Sequence, residues 1–294
     1  MRKAVKELTK IMSAPTHESN LKKWQGFADY YAEHFEAMTI QPARTLCQVL
    51  KLDAPEVERV LEVASGAGTC SREIAQRITP TAKFAAHDFT PEMVAKTRAA
   101  LAKVGPVSEE LFSAQLSANR GNGEDLVDVA SDSIDRYLSN LCLMLVPDHT
   151  AMLKETFRVL KKGGSAAFTI WGDKTMANFF TTIPKAFAKH GVPSDTSDRS
   201  NFHLGQDDEA LRQEFLDAGF SQVTIWHQFA VFEHFDVNRL MDTLYSVPSM
   251  KAMFSSACEK TAMAIREEAI KSFQNDIDQG RPIGFDTILI VARK

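Results

Sequence analysis

The sequence predicts an α/β fold built on a parallel sheet with helices on its faces. Between Arg59 and Ile170 short β-rich runs alternate with helical periods. Two glycines, Gly66 and Gly68, follow the first of those runs directly. Residues 165–170 are apolar or small after the first position, as befits a central strand buried on both faces. In order, the first strand covers residues 59–63, and after the glycine turn Cys70, Ile74 and Ile78 fall on one helical face. A second strand, residues 83–87, ends at Asp88. Thr90-Pro91-Glu92 then opens a helix with a capping threonine and a first-turn proline, and Met93, Thr97, Ala100 and Leu101 form its buried stripe. Third and fourth strands are expected at 110–118 and 133–138. A helix marked by Leu153, Phe157 and Leu160 is expected to stop at Lys161-Lys162-Gly163-Gly164, ahead of a fifth strand at 165–170.

Past Trp171 the rhythm changes, and the next clear strand, 222–226, arrives after about fifty residues of helix, polar loop and helix. Residues 191–201, rich in Ser, Asp and Pro, read as a surface loop. Residues 238–274 are helical by pattern, with Ala262, Ile265, Ala269 and Phe273 on one stripe, and 285–291 form a closing strand. The expected organisation is a flexible tail over residues 1–20 and one domain over 21–294. That domain has N-terminal helices at 21–52 and cap insertions at 172–209 and 238–280.

Composition narrows the function classes. At 294 residues, 44% hydrophobic and 24% charged, the chain is of ordinary globular type. A net charge of −4 gives no general attraction to nucleic acid or anionic membranes. Cys47, Cys70, Cys142 and Cys258 lie far apart without zinc or disulfide-framework spacing, which fits a reducing compartment. No uninterrupted apolar run reaches the roughly 18 residues of a spanning helix. The first twenty residues mix basic, acidic and apolar positions without the apolar core of a secretory signal. A cytoplasmic location, no metal, no nucleic acid, no stable membrane insertion and a monomer or homodimer are the expectations.

The strongest chemical signal is Val60-Leu61-Glu62-Val63-Ala64-Ser65-Gly66-Ala67-Gly68-Thr69. Glycines after a buried strand let the backbone turn sharply and approach a ligand. The bland alternative is a structural turn. Asp88, twenty-six residues past Glu62 at the end of the second strand, stands where a carboxylate can accept from ribose hydroxyls. A dinucleotide-binding turn requires a third glycine at position 71, and that residue is Ser71. A mononucleoside-sized ligand has no such need.

These residues carry a resemblance. Glu62-x-Ala64-x-Gly66-x-Gly68 resembles the first motif of class I S-adenosylmethionine (SAM) dependent methyltransferases, with Ala64 in place of the usual first glycine. Asp88-Phe89-Thr90-Pro91-Glu92-Met93 resembles the second motif, and Asn122-Gly123-Glu124-Asp125-Leu126 the segment after the third strand, with Asn122 replacing an aspartate. Leu138-Ser139-Asn140-Leu141 is similar to the end of the fourth strand, and Phe157 to Gly164 to the approach to the fifth. The type-11 group, acting mostly on small molecules and quinone precursors, is the most similar. The resemblance implies a seven-stranded sheet of order 3-2-1-4-5-7-6 with strand 7 antiparallel, and SAM as cofactor with S-adenosylhomocysteine as product. It further implies cofactor contacts from Glu62, Ala64, Gly66, Gly68, Asp88, Phe89, Met93, Asn122, Gly123, Glu124 and Asn140.

Methyl transfer from a sulfonium is an in-line displacement, so holding the nucleophile collinear with methyl and sulfur supplies much of the acceleration and a base is optional. The acceptor is expected over the ends of strands four and five. Trp24, Tyr30, Trp171, Phe180, Met241 and Tyr245 are its expected walls, and the apolar character of these segments points to a hydrophobic or aromatic acceptor. Core packing is the competing account, and Trp24 to Phe35 equally fits an amphipathic helix. The resemblance implies a tyrosine of such a helix covering the cofactor, Tyr31 or Tyr30, and His203 and His149 are the candidate bases, solvated loop histidine being the alternative for His149. A protein or RNA methyltransferase, or a non-catalytic SAM-binding partner subunit, is the alternative function.

Overall fold

The computed structural model describes residues 16–104, 115–193, 201–232 and 236–294. Its sheet holds seven strands: β1 (Arg59–Val63), β2 (Lys83–Asp88), β3 (Leu116–Arg120), β4 (Ile134–Asn140), β5 (Leu160–Trp171), β6 (Gln222–Val231) and β7 (Gly284–Arg293). Their order is β3-β2-β1-β4-β5-β7-β6, with β7 antiparallel to both neighbours and the other pairs parallel, as expected. The alternation of side chains along a strand divides the core into two layers. Val60 and Leu138 face one layer with Leu46, Ile74 and Phe84. Leu61, Val63, Tyr137 and Phe168 face the other.

Helix α1 (His17–His34) starts at Thr16, whose hydroxyl accepts from the Ser19 N–H while the Ser19 hydroxyl occupies the cap backbone, a reciprocal cap that defines the entry. Residues 17–20 are therefore helical, and the remainder of the expected tail, 1–15, lies outside the described residues. Helix α2 (Glu36–Val49) places Ala43, Leu46 and Cys47 in the first layer beside α3 (Thr69–Ala75) and α4 (Pro91–Leu101). The second layer takes α5 (His149–Val159), α6 (Asn178–Lys189) and α7 (Asp208–Asp217). Next come α8 (Val237–Ser246), α9 (Pro248–Ser255) and α10 (Glu259–Asp278), so the stretch expected to be helical from 238 is three helices. Pro248 at the first turn of α9 and the extended Cys258 before α10 make the breaks.

Several boundaries move for identifiable reasons. Strand β5 begins at Leu160, through Lys161-Lys162-Gly163-Gly164, because Leu160 pairs with Ile134 across an irregularity in the ladder. Gly163 and Gly164 exchange backbone hydrogen bonds with Lys294, both at 3.1 Å. The glycine pair thus belongs to the strand and does not merely end the helix. Strand β6 reaches Val231 because β7 supplies partners as far as Gly284. Gln41 of α2 bonds through its side chain both backbone groups of Val231 at this sheet edge, at 2.8 and 3.0 Å. Of the third strand expected at 110–118, the structure gives 116–120, and 105–114 lie outside the described residues, as do 194–200 of the expected surface loop. Among the described residues no helix is long and apolar enough to cross a membrane.

Candidate functional site

The strand order reverses beside β1, and the chain leaving β1 turns where the carboxyl ends of β1 and β4 diverge, the place where open α/β sheets hold ligands. Ala64, Gly66 and Gly68 all have positive φ, at 63°, 57° and 87°. Gly66 donates its N–H to Asp88 Oδ2 at 2.9 Å, and Thr97 of α4 donates its hydroxyl to the Gly66 carbonyl at 3.0 Å. Gly68 serves helix packing. A Cβ there would lie 2.8 Å from both Ala100 Cβ and Thr97 Cα, so α3 and α4 close on each other only over a glycine. Ser71, which stands where a dinucleotide fold requires glycine, donates instead to Glu62 at 2.5 Å.

Asp88 is 7% exposed and accepts three hydrogen bonds, from the Gly66 N–H, the Thr90 N–H at 2.9 Å and the Thr90 hydroxyl at 3.1 Å. Burial pushes its carboxyl above the usual carboxylate range, and the hydrogen bonds from Thr90 and Gly66 pull against that. It bounds an open cleft with Phe89, Met93, Asn122, Gly123 and Glu124. The Asn122 side-chain oxygen accepts from the Glu124 N–H at 3.1 Å, fixing the turn that presents these residues.

Helix α1 lies along the cleft and is tied down on several sides. His17 pairs with Glu124, which also accepts from the Asp148 N–H at 2.6 Å. The Asn20 amide donates to the Leu145 carbonyl at 2.9 Å, and Lys96 of α4 pairs with Asp29 at 2.6 Å. From this helix Trp24 and Tyr31 enter the cleft, meeting edge to face with ring centroids 5.9 Å apart. The Tyr31 hydroxyl donates to Thr39 Oγ1 at 3.2 Å, and burial pushes its pKa up to about 12. Opposite, Leu141, Cys142, Leu145 and Pro147 follow β4, and burial also pushes the Cys142 thiol up to about 12. Among the described residues that line the cleft, none is lysine or arginine.

A second, smaller and more polar cavity lies on the other side of the glycine turn, walled by Glu62, Ser65, Thr69 and Cys70. Tyr31, Ala64, Gly66 and Asn140 line both spaces. Asn140 is held between two partners, donating to the Thr39 carbonyl at 3.0 Å and accepting from the Thr169 hydroxyl at 2.6 Å. Thr69 Oγ1 is buried without a hydrogen-bond partner. Glu62 is 1% exposed, and burial pushes its carboxyl up to about 8 against the hydrogen bonds of Ser71 and Cys70.

The structure therefore brings together ten of the eleven expected cofactor contacts: Glu62 in the polar cavity, Ala64, Gly66 and Asn140 at the junction, and the other six in the cleft. Gly68 lines neither space and acts through helix packing. Tyr31 and Trp24 also reach the site, whereas the remaining expected positions lie elsewhere. His149 pairs with Glu214 at 2.7 Å, with His203 6.1 Å away between ring centroids, away from the cleft lining. Trp171 and Phe180 stack at 4.2 Å in an aromatic cluster with Phe202 and Phe285. Met241 is fully buried in the core, and Tyr245 is exposed beside Phe254. The Tyr30 hydroxyl binds the Thr243 carbonyl and so docks α1 on α8. For Trp171, Phe180 and Met241 core packing describes what is seen, and for Tyr30 helix docking. Sequence reading missed His17, Asn20, Thr69 and Cys142. Thr16 and Ser19, cap residues at the required spacing, signal the helix start that carries His17 but not its contact with Glu124.

Residues 60–164 match the family model described as a methyltransferase domain. The chain is 25% identical over 237 residues to a malonyl-[acyl-carrier protein] O-methyltransferase of Paenibacillus sp., covering 79% of each chain. It is 30% identical over 112 residues to an arsenite methyltransferase of Halobacterium salinarum, covering 38% of this chain and 27% of that relative's length. Among solved structures, a candidate methyltransferase of Bacillus halodurans C-125 superposes with a TM-score of 0.53 at 19% identity, covering 86% of this chain and 98% of the other, a likeness of fold.

Proposed function

Since the chain carries a class I SAM-dependent methyltransferase domain, we propose that it methylates a small, apolar acceptor that brings its own competent nucleophile into the larger cleft. The observation that carries this reading is the pair of spaces joined at Tyr31, Ala64, Gly66 and Asn140. The cofactor's two ends differ in character, and the two spaces match them. Asp88 can accept from ribose hydroxyls, with Phe89 and Met93 beside it as apolar surface for a purine. Glu62 and the unpartnered Thr69 hydroxyl offer polar groups to the amino-acid end. The residues present therefore fit the group. When bound, SAM supplies a methyl group already activated by a sulfonium leaving group.

What the chain supplies is position and exclusion of water. Tyr31 and the fixed Asn140 side chain bound the junction where the reacting centre belongs, and α1 shields it from solvent. Tyr31 and Cys142 keep their protons at neutral pH, and Asp88 and Glu124 already accept from backbone and side-chain donors. The acceptor-facing wall thus favours nucleophiles that attack without losing a proton to the enzyme, such as a thiolate, an uncharged amine or an activated carbon. A cleft lined by Asp88 and Glu124 and by no lysine or arginine among the described residues disfavours carboxylate and phosphate acceptors.

Calorimetric titration with SAM, S-adenosylhomocysteine and NAD in parallel tests the first half. Micromolar binding of the first two without the third is expected, and binding of NAD alone would overturn the reading. A panel of apolar thiols, amines, quinone precursors and carboxylic acids, followed by methyl transfer from labelled SAM, tests the second half. Turnover confined to the carboxylic acids would refute it.

A further inference from the structure

We propose that Glu62 is a neutral carboxylic acid in the cofactor-free enzyme and surrenders its proton to solvent when an ammonium group enters the polar cavity. The inference rests on the reading that this cavity takes the amino-acid end of the cofactor. It goes beyond that reading in making cofactor capture a proton-releasing step.

The geometry argues as follows. Glu62, next to last in strand β1, has its side chain in the cavity wall and 1% of its surface exposed. Its hydrogen-bond donors are the Ser71 hydroxyl at 2.5 Å and the Cys70 thiol, both uncharged. The titratable groups that face it are Asp88 from the end of β2, Cys70 from α3, Cys47 from α2 behind Cys70, and Tyr31 from α1. None of these is a cation, and Asp88 adds to the cost of a second negative charge. Arg72, one turn along the same region, is half-exposed and paired with Glu36 at 3.5 Å. A carboxylate desolvated in this way without a counter-charge costs several kcal/mol, so it holds its proton instead. The rise of this carboxyl to about 8 is the same balance expressed as a titration. The second observation is the Thr69 hydroxyl in the same wall, buried and without a partner, which marks the cavity as built for a polar occupant.

An ammonium group in the cavity reverses the balance. It supplies the missing positive charge, the O–H bond of Glu62 breaks, the electron pair stays on the carboxylate, and the proton leaves to buffer. The ligand's own ammonium is unchanged, so charge is conserved.

Calorimetric titration of the full chain with S-adenosylhomocysteine in phosphate and in Tris, whose ionisation heats differ, reads the released proton directly. With the carboxyl titrating at about 8, about 0.9 proton is expected at pH 7. Affinity is then expected to weaken about tenfold for each pH unit below about 8. Two controls isolate the group. 5′-Methylthioadenosine carries the same nucleoside and thioether without the amino acid and is expected to bind with no buffer dependence. Glu62→Gln, which has the shape of the neutral acid, is expected to bind S-adenosylhomocysteine with no proton exchanged and a flat pH profile. Buffer-independent binding of S-adenosylhomocysteine to the wild type would overturn the proposal and leave the functional reading standing. So would proton release that persists in Glu62→Gln. No binding of S-adenosylhomocysteine at all would overturn the functional reading and this inference with it.

Discussion

Gly66 and Gly68 stand two residues apart in one turn, and the structure separates what they do. At Gly68 an added Cβ would sit 2.8 Å from Ala100 Cβ and from Thr97 Cα, atoms carried by the helix α4 backbone that cannot swing aside. Overpacking of that kind costs about 1–3 kcal/mol, and a left-handed φ of 87° on a residue with a side chain adds about 1–2 kcal/mol. Gly68→Ala should therefore lose about 2–5 kcal/mol of stability. At Gly66 the nearest atom to an added Cβ is Tyr31 Cε1 at 3.6 Å, an ordinary contact. Gly66→Ala has only its φ of 57° to accommodate, and the narrower unfolded ensemble of alanine offsets part of that, leaving about 1 kcal/mol or less. Its methyl group, however, enters the junction between the two spaces. Cofactor affinity should fall about tenfold, about 1.4 kcal/mol. Urea unfolding followed by circular dichroism and titration with S-adenosylhomocysteine measure the two quantities on both variants. Equal stability losses, or unchanged affinity in Gly66→Ala, would refute the assignment of Gly68 to packing and Gly66 to the site.

Asp88→Ala should weaken SAM binding by about 1–3 kcal/mol and also destabilise the free protein by a similar amount, because the Gly66 and Thr90 donors lose their shared acceptor. Titration and unfolding on the same preparation check both, and lost affinity with full stability would contradict the structural half. Ala64→Gly should raise stability by about 0.5–1 kcal/mol, since Ala64 holds a φ of 63° that glycine adopts freely; a lower urea midpoint would count against strain at this position. His227 lies between Asp286 at 2.6 Å and Asp208 at 3.1 Å, and although burial works against its charge these partners raise its pKa. A raised folded value makes its contribution fully present below its unfolded pKa of about 6.5 and lost as pH rises through the folded value. His227→Gln should thus cost more stability at pH 5.5 than at pH 9, and unfolding at the two pH values checks the sign.

The residues lining the cleft and the polar cavity, where the cofactor is proposed to bind, were legible because their positions are fixed by the backbone. The strand ends at Val63, Asp88 and Asn140 are set by alternation and by turn residues, and a ligand at the switch point must meet the loops that follow them. The acceptor half was not legible, because aromatic residues at helical spacing are equally good core and equally good pocket. Trp171 and Phe180 were spent on the cluster with Phe202 and Phe285, and Tyr30 on tying α1 to α8. Composition cannot tell these uses apart, since each buries the same area. His17 escaped notice for a different reason. Its partner Glu124 lies 107 residues away, and no local period announces a contact of that span.

The wall between the two spaces bears on how binding and chemistry divide. On the proposed reading the cleft would meet its ligand with Phe89, Met93, Leu141 and Leu145, surfaces whose contribution grows with the apolar area they cover and is indifferent to charge. The polar cavity would meet its ligand with Glu62 and Thr69, groups whose worth depends on the occupant's charge and hydrogen bonds. A nucleoside without the amino acid would gain only the first, and an amino acid without the nucleoside only the second. On the proposed reading each alone would also leave the junction at Tyr31 and Asn140 incompletely filled. Asn140 is pinned by Thr39 and Thr169, and Tyr31 by Thr39, so the shared hydroxyl and carbonyl of Thr39 hold both sides of the junction to α2. Because α2 packs into the core through Ala43, Leu46 and Cys47, that geometry is set by buried packing, while α1 beside the cleft is tied by surface pairs on its outer face and by the hydrogen bonds of Asn20 and Tyr30.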